Sequence, residues 1–205
     1  MKISKKNPKH VAIVMDGNGT WSIKNNLQKK EGHKKGVKTA KKIVSSAIDI
    51  GIENITLFAL SSENLNRSTL ELKNLFDIFF YSFSEEKEYL KDNKIKIRFI
   101  GDLQKLPKKL KEKALLLENE TKKNKKLNLF IALNYGGKQD IKQAVKKLLE
   151  NGEKNKSFEN FLYSKDLPEV DLLIRTGGYQ RLSDYFLFQI SFTEFFFLKT
   201  LWPDF

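Results

Sequence analysis

Short apolar runs rich in β-branched residues recur along this chain, and longer stretches with a helical period separate them. "HVAIVMD" is followed by "GVKTAKKIVSSAIDIG", in which Val37, Ala40, Val44, Ala47 and Ile48 mark one helical face and Gly51 marks a stop. "NITLFAL" precedes a helical segment from Ser68 to Lys91, and "IKIRFIG" precedes "LPKKLKEKALLLENETKKN", with Pro107 near the first turn. "LNLFIALNYGG" reads as strand, "DIKQAVKKLLENG" and "SFENFLYS" as helices, "VDLLIRTGG" as strand, "DYFLFQI" as helix and "EFFFLK" as a last strand. This alternation predicts an α/β fold: one open, mostly parallel sheet of about six strands with helices on both faces. With 205 residues, no internal repeat and no proline-rich linker, residues 1–205 are expected to form a single domain. "NGEKNKS" is the expected mobile loop.

Composition narrows the chemistry. Without cysteine, the chain has no disulfides, thiol catalysis or cysteine-based metal sites. "MKISKKNPKH" is basic but has no apolar segment behind it, so no signal peptide is expected. No apolar run approaches the roughly 18 residues of a membrane span. A cytoplasmic location follows, with peripheral contact at the inner face of the membrane as a refinement. The formal net charge of +13 implies an anionic partner. Most of the excess is lysine on helix faces, which reads as solvated surface, so nucleic acid is not expected.

In open α/β sheets ligands bind at the carboxyl ends of the strands. Those ends here read "MDGNG", "ALSSENLNR", "IGD", "LNYGG" and "IRTGG". Glycines let backbone N–H groups approach a ligand closely. Together with Arg67, Arg175 and Arg181 they would cradle a phosphate or diphosphate. Asp16 would repel such an anion unless Mg2+ lay between them, since magnesium uses one or two carboxylates plus substrate phosphates. The lone carboxylate thus reads as a metal handle. His33, ahead of the expected helix, is either a helix-end residue or a phosphate donor and proton carrier. The segment after Ser68 carries Leu72, Leu75, Phe76, Ile78, Phe79, Phe80 and Phe83. Core packing accounts for most of them, and a stripe this wide would also line a tunnel for a long apolar tail, with "SFTEFFFLKTLW" as further wall.

"HVAIVMDGNGTW", "GHKKG", "FALSSENLNRS", "LNYGG", "VDLLIRTGGYQRLSDYFLFQISFTEFFF" and "LWPDF" together resemble the cis-prenyltransferases, in order over nearly the whole chain. The resemblance implies Mg2+-dependent condensation of isopentenyl diphosphate onto an allylic diphosphate such as farnesyl diphosphate, by a homodimer making undecaprenyl diphosphate. It implies Asp16 and Asn64 as catalytic residues. The allylic diphosphate would meet Gly17, Asn18, Gly19, Thr20, Trp21, Lys29, His33 and Arg67. Arg175, Arg181 and Ser183 would bind isopentenyl diphosphate. Glu194 would sit near the metal or the partner subunit. Ala59, Leu75, Phe76, Phe79 and Phe83 would line the tunnel, and product release would bring transient contact with the membrane surface.

Departures from the family pattern are specific. Thr20 and Lys29 stand where arginines are usual, Leu65 where an aromatic is, and Tyr179-Gln180 where an acid and often a histidine are. The family also usually continues past "LWPDF" into an Arg-x-Gly element that reaches the neighbouring subunit's site. Two other readings have support in the residues. A non-catalytic subunit of the same fold would lose motifs that Asp16, Asn64, Arg67, Arg175 and Arg181 retain. A haloacid-dehalogenase-like phosphatase would also begin near "MDGNGT", but needs an acid where Asn18 stands.

Overall fold

The computed structural model describes residues 7–66, 68–152 and 156–205. The chain order is β1 (His10–Val14), α1 (Asn18–Lys24), α2 (Lys29–Asp49), β2 (Asn54–Ser61), α3 (Thr69–Glu85), α4 (Lys87–Asp92), β3 (Ile95–Ile100), α5 (Lys108–Thr121), β4 (Leu127–Tyr135), α6 (Gly137–Asn151), β5 (Leu172–Arg175) and β6 (Glu194–Phe197). Among the described residues the strands form one six-stranded sheet, ordered β3-β4-β2-β1-β5-β6, and every neighbouring pair is parallel.

After His10, β1 is apolar because it is buried on both faces. Val11 and Ile13 join a core that includes Val44, Leu75, Phe79, Phe83 and Leu117 from the helices, whereas Ala12 and Val14 join a second core around Tyr135, Tyr185 and Phe186. Parallel registers align the strand ends. Val14 pairs with Phe58 of β2 and with Arg175 of β5.

Four local expectations change. α2 begins at Lys29, so His33 lies inside the helix rather than ahead of it. The helical stretch after Ser68 is two helices, α3 and α4, which meet at Glu86. "SFENFLYS" contributes only a 3-10 turn over Phe158–Phe161. "DYFLFQI" is not helical: Ser183, Asp184 and Phe186 have φ of 52°, 59° and 43°. Tertiary contacts override helical propensity there. The consecutive Tyr185 and Phe186 are both fully buried, Tyr185 stacks on Phe58 at 4.2 Å, and the Asp184 carbonyl accepts from the Gly137 N–H at 2.7 Å. The proposed mobile loop "NGEKNKS" includes residues 153–155, outside the described residues.

His10 opens β1 fully buried. Its Nε2 lies 2.8 Å from Thr56 Oγ1 and its Nδ1 2.9 Å from the Pro168 carbonyl. Burial lowers its pKa from the ordinary 6.5, and the Pro168 and Glu169 carbonyls and the Asp171 carboxylate only partly oppose this. The unfolded chain therefore takes up a proton that the native ring resists. Stability is fully present above the unfolded value and is lost as pH falls toward the folded one. The melting temperature is expected to decline between about pH 7 and pH 5, and His10→Gln should flatten that decline while lowering the whole curve. Curves of equal slope for the two proteins would remove His10 as its source.

Candidate active site

The sheet order places a crevice at one point. β1 connects onward to β2 on one side, and β5 connects onward to β6 on the other, so the chain diverges between two neighbouring parallel strands. Their carboxyl ends are the expected ligand position in such sheets. Asp16 follows β1 there, and Arg175 ends β5.

The two side chains meet. Arg175 Nη2 donates to Asp16 Oδ2 at 2.8 Å, with the arginine side chain 3% and the aspartate 34% exposed. Arg175 Nη1 donates to Ser183 Oγ at 2.8 Å and to the Arg181 carbonyl. The Asp16 carbonyl is held by Thr176 Oγ1 at 2.7 Å and by the Trp202 N–H at 3.0 Å. Backbone and carboxylate are thereby fixed from separate elements. The non-helical turn through Ser183 and Asp184 aims Ser183 at Arg175. The Tyr179 ring lies 4.3 Å from the Arg181 guanidinium and 5.7 Å from that of Arg175.

Asp16, Arg175, Tyr179, Arg181 and Ser183 line a polar cleft of about 510 Å³. Gly17, Asn18, Gly19 and Thr20 form one wall where α1 begins, and the first-turn N–H groups of a helix have no acceptor within it. Gly17 has φ 113°, and a Cβ there would lie 2.9 Å from Leu201 Cδ2. The "LWPDF" segment thus packs directly behind the loop. Lys29 and His33 come from α2, Asn64 from the 3-10 turn after β2, and Arg181 and Ser183 from the segment after β5. His33 Nδ1 lies 2.9 Å from the Lys29 carbonyl, and Lys29 Nζ lies 3.6 Å from Glu71 Oε2, tying α2 to α3 across the mouth.

An apolar cavity of about 150 Å³ adjoins the cleft. Met15, Asn18, His33, Ala59 and Leu75 line both. Deeper in, Val37, Ala40, Ile78, Phe79 and Phe83 enclose it between the sheet, α2 and α3.

Several expected residues lie elsewhere. Trp21 does not line the cleft: its Nε1 donates to Asp204 at 2.7 Å, pinning the last turn of the chain to α1. Phe76 packs against the core and not on the cavity. Glu194 is exposed and opens β6 in register with Leu172, at the end of the sheet opposite Arg175, so within one chain it is not beside Asp16. "SFTEFFF" supplies no tunnel wall, since Phe192, Phe195 and Phe196 are exposed, whereas Trp202 does line the cavity. Arg67 lies outside the described residues.

Sequence reasoning did not find Met15, Glu63 and Glu71 in the cleft, nor Lys41, Glu86 and Tyr89 in the cavity wall. It noted Tyr179 only as a departure. Met15 and Glu63 fall within the strand ends "MDGNG" and "ALSSENLNR", and that position was the signal for them. For the helical Lys41, Glu71, Glu86 and Tyr89, periodicity reports which side of a helix is buried, not which part of that side faces a void.

The family described as putative undecaprenyl diphosphate synthase matches residues 14–205. Among individual proteins, the ditrans,polycis-undecaprenyl-diphosphate synthase of Haemophilus influenzae, described as (2E,6E)-farnesyl-diphosphate specific, is 43% identical over 97% of this chain and 87% of that protein. The isoprenyl transferase of Aquifex pyrophilus is 43% identical over 99% of this chain and 89% of its own length. Lavandulyl diphosphate synthase from Lavandula x intermedia, solved with dimethylallyl diphosphate, superposes with a TM-score of 0.91 at 37% identity, covering 97% of this chain and 89% of that one. A probable undecaprenyl diphosphate synthase from Campylobacter jejuni gives a TM-score of 0.81 at 33% identity, covering 98% and 89%.

Proposed function

The chain belongs to the undecaprenyl diphosphate synthase family of cis-prenyltransferases, and on that premise we propose that it elongates farnesyl diphosphate with isopentenyl diphosphate to undecaprenyl diphosphate, the lipid carrier precursor for cell-wall synthesis. The observation that carries this reading is the polar cleft around Asp16 and Arg175 opening directly onto the apolar cavity. A diphosphate and a hydrocarbon tail need those two environments side by side. Family membership also displaces the phosphatase alternative.

The α1 wall, with Lys29 and His33, receives the allylic diphosphate; its tail enters between Ala59 and Leu75. Arg175, Arg181 and Ser183 hold the isopentenyl diphosphate opposite. The allylic carbon–oxygen bond breaks, the diphosphate departs with the electron pair, and the isopentenyl double bond closes onto the allylic carbon. A proton then passes from the new chain to the departed diphosphate, the base that the reaction itself supplies, and Asn64 positions the isopentenyl unit for that loss. The protein contributes alignment and preorganised charge.

Magnesium fits at Asp16. The described residues hold no group of three His, Cys, Asp or Glu side chains able to bind an ion alone, and a partly exposed carboxylate beside a diphosphate suits a cation that takes most of its oxygens from substrate. Held by Asp16, whose Oδ2 also accepts from Arg175, magnesium would supply neutralisation of the leaving diphosphate. Glu194 belongs to the edge strand β6 and would face a partner subunit. The exposed Phe192, Phe195 and Phe196 beside it support a homodimer that covers this face. No described helix is long and apolar enough to cross a membrane. The exposed Ile23 and Leu27 near Lys24 and Lys30 suit peripheral contact with an anionic inner leaflet during product release.

Purified protein incubated with farnesyl diphosphate, labelled isopentenyl diphosphate and Mg2+ should yield labelled polyprenyl diphosphate. No incorporation would sink the reading and leave the non-catalytic subunit in its place. Thr20 gives a sharper test of the first loop. It is exposed and lines the cleft where the family usually places arginine, so it offers the allylic diphosphate one neutral hydrogen bond. Thr20→Arg is expected to tighten farnesyl diphosphate binding about tenfold, the low end for charged hydrogen bonds because the position is solvated. Isopentenyl diphosphate binding should not change. Titration of both ligands checks this, and equal farnesyl diphosphate affinities would place its anchor elsewhere.

A further inference from the structure

The strand end "LNYGG" closes β4 and yet lends no side chain to the cleft. It opens α6 instead. The N-cap of α6 is Gly136, so no side chain at that position satisfies the first-turn N–H groups. Asp184, 46 residues beyond Lys138, takes that place. Its carbonyl accepts from the Gly137 N–H at 2.7 Å and its Oδ1 from the Lys138 N–H at 3.0 Å. The two glycines make room for this approach. A Cβ on Gly136 would lie 2.6 Å from Asp184 Oδ2, and one on Gly137 2.7 Å from Leu187 Cγ. The Asp184 carboxylate faces the positive end of α6 and does not itself line the cleft.

This docking fixes a turn that would not hold by itself. Ser183, Asp184 and Phe186 stand at φ of 52°, 59° and 43°. Residues with a Cβ disfavour that left-handed backbone, and it persists only where the surroundings enforce it. Burial of Tyr185 and Phe186 anchors the far side of the turn, and the Asp184 cap anchors the side next to Ser183. The cleft depends on the same turn at two atoms. Arg175 Nη1 donates to Ser183 Oγ and to the Arg181 carbonyl, while its Nη2 is committed to Asp16.

We propose that Asp184 is a positioning residue for isopentenyl diphosphate: by capping α6 it holds the turn through 181–184, and so sets the Arg175–Ser183 geometry that grips this substrate. This rests on the elongation reading above. Gly136 and Gly137 belong to the same device, although they touch no substrate. The allylic side of the cleft is built on separate elements, α1 and α2, so its affinity does not depend on the cap.

The test is steady-state kinetics with each diphosphate varied in turn, beside thermal melts. Asp184→Ala removes the side-chain cap and lowers the melting temperature. It is expected to raise KM for isopentenyl diphosphate about tenfold, below the roughly 10²-fold of a 1 Å misplacement. The kcat and the KM for farnesyl diphosphate should stay within about twofold of wild type. Asp184→Asn keeps an oxygen for the Lys138 N–H and should restore the KM for isopentenyl diphosphate. Asp184→Gly separates positioning from stability. Glycine suits φ 59°, so melting should recover relative to Asp184→Ala while that KM stays raised. Ser183→Ala should raise the same KM, and combining it with Asp184→Ala should add little, because Asp184 acts through the turn that carries Ser183. An unchanged KM for isopentenyl diphosphate in Asp184→Ala, its recovery in Asp184→Gly along with melting, or an equal rise for both substrates overturns the positioning role while elongation stands. Full additivity in the double variant does the same. A wild-type protein that incorporates no isopentenyl diphosphate overturns both.

Discussion

Asp16→Ala is expected to lower turnover of farnesyl and isopentenyl diphosphates by roughly 10²–10³-fold, the range for losing one preorganised electrostatic group. From sequence alone the variant should fold normally, because Asp16 looks like a solvent-facing strand end. The structure changes that expectation. Asp16 is the acidic partner of Arg175, whose guanidinium is nearly fully buried. Removing the carboxylate strands a buried donor, which costs about 1–3 kcal/mol and lowers the melting temperature by about 2–4 °C for each of those. Asp16→Asn separates the two effects. Its amide oxygen still accepts from Arg175 Nη2, so melting should recover while turnover does not. Steady-state rates and thermal melts of the three proteins check this. If Asp16→Asn retains more than about a tenth of wild-type turnover, the carboxylate charge is not what the reaction needs.

Gly32→Ala should be nearly as damaging, against the direction that helix propensity gives. Alanine inside a helix is favoured over glycine by about 1 kcal/mol. A Cβ at Gly32, however, would lie 2.2 Å from the Asn18 carbonyl oxygen and 2.3 Å from Ser22 Oγ, which accepts from the Gly32 N–H at 2.9 Å. α1 lies directly against α2 here, and the added methyl must push it away. That movement shifts Asn18, Gly19 and Thr20 in the cleft wall. A displacement near 1 Å in a binding element costs about 10²-fold in kcat/KM, and overpacking costs about 1–3 kcal/mol in stability. Lys38→Ala, exposed on the same helix, should leave rate and melting temperature unchanged. Wild-type kinetics in Gly32→Ala would mean that α1 yields without moving the site.

The element types and the sheet were readable from "HVAIVMD", "NITLFAL" and "LNLFIALNYGG", because a strand buried on both faces must be apolar along its length. The cleft residues from Asp16 to Thr20, with Asn64, Arg175, Arg181 and Ser183, followed from their place at strand ends and from motif resemblance. Where local and tertiary preferences disagreed, the sequence misled. "DYFLFQI" has a helical pattern, but two adjacent aromatics are each worth more buried than one helical turn is worth in hydrogen bonds. Trp21 sits in the motif and yet serves as a clamp on Asp204.

Composition and periodicity by themselves determined one α/β domain, and they pointed to the carboxyl ends of the strands, which the structure gathers around one cleft. Those properties depend on interactions between neighbours in sequence and on the burial of whole segments. Only the tertiary structure decided that Asp16 is paired to a buried arginine, that Gly32 is needed for the approach of α1, and that Lys41, Glu86 and Tyr89 share one wall. Each of those depends on distances between side chains or backbones from separate elements. Such distances are set when helices settle onto the sheet under close packing, which no local pattern encodes.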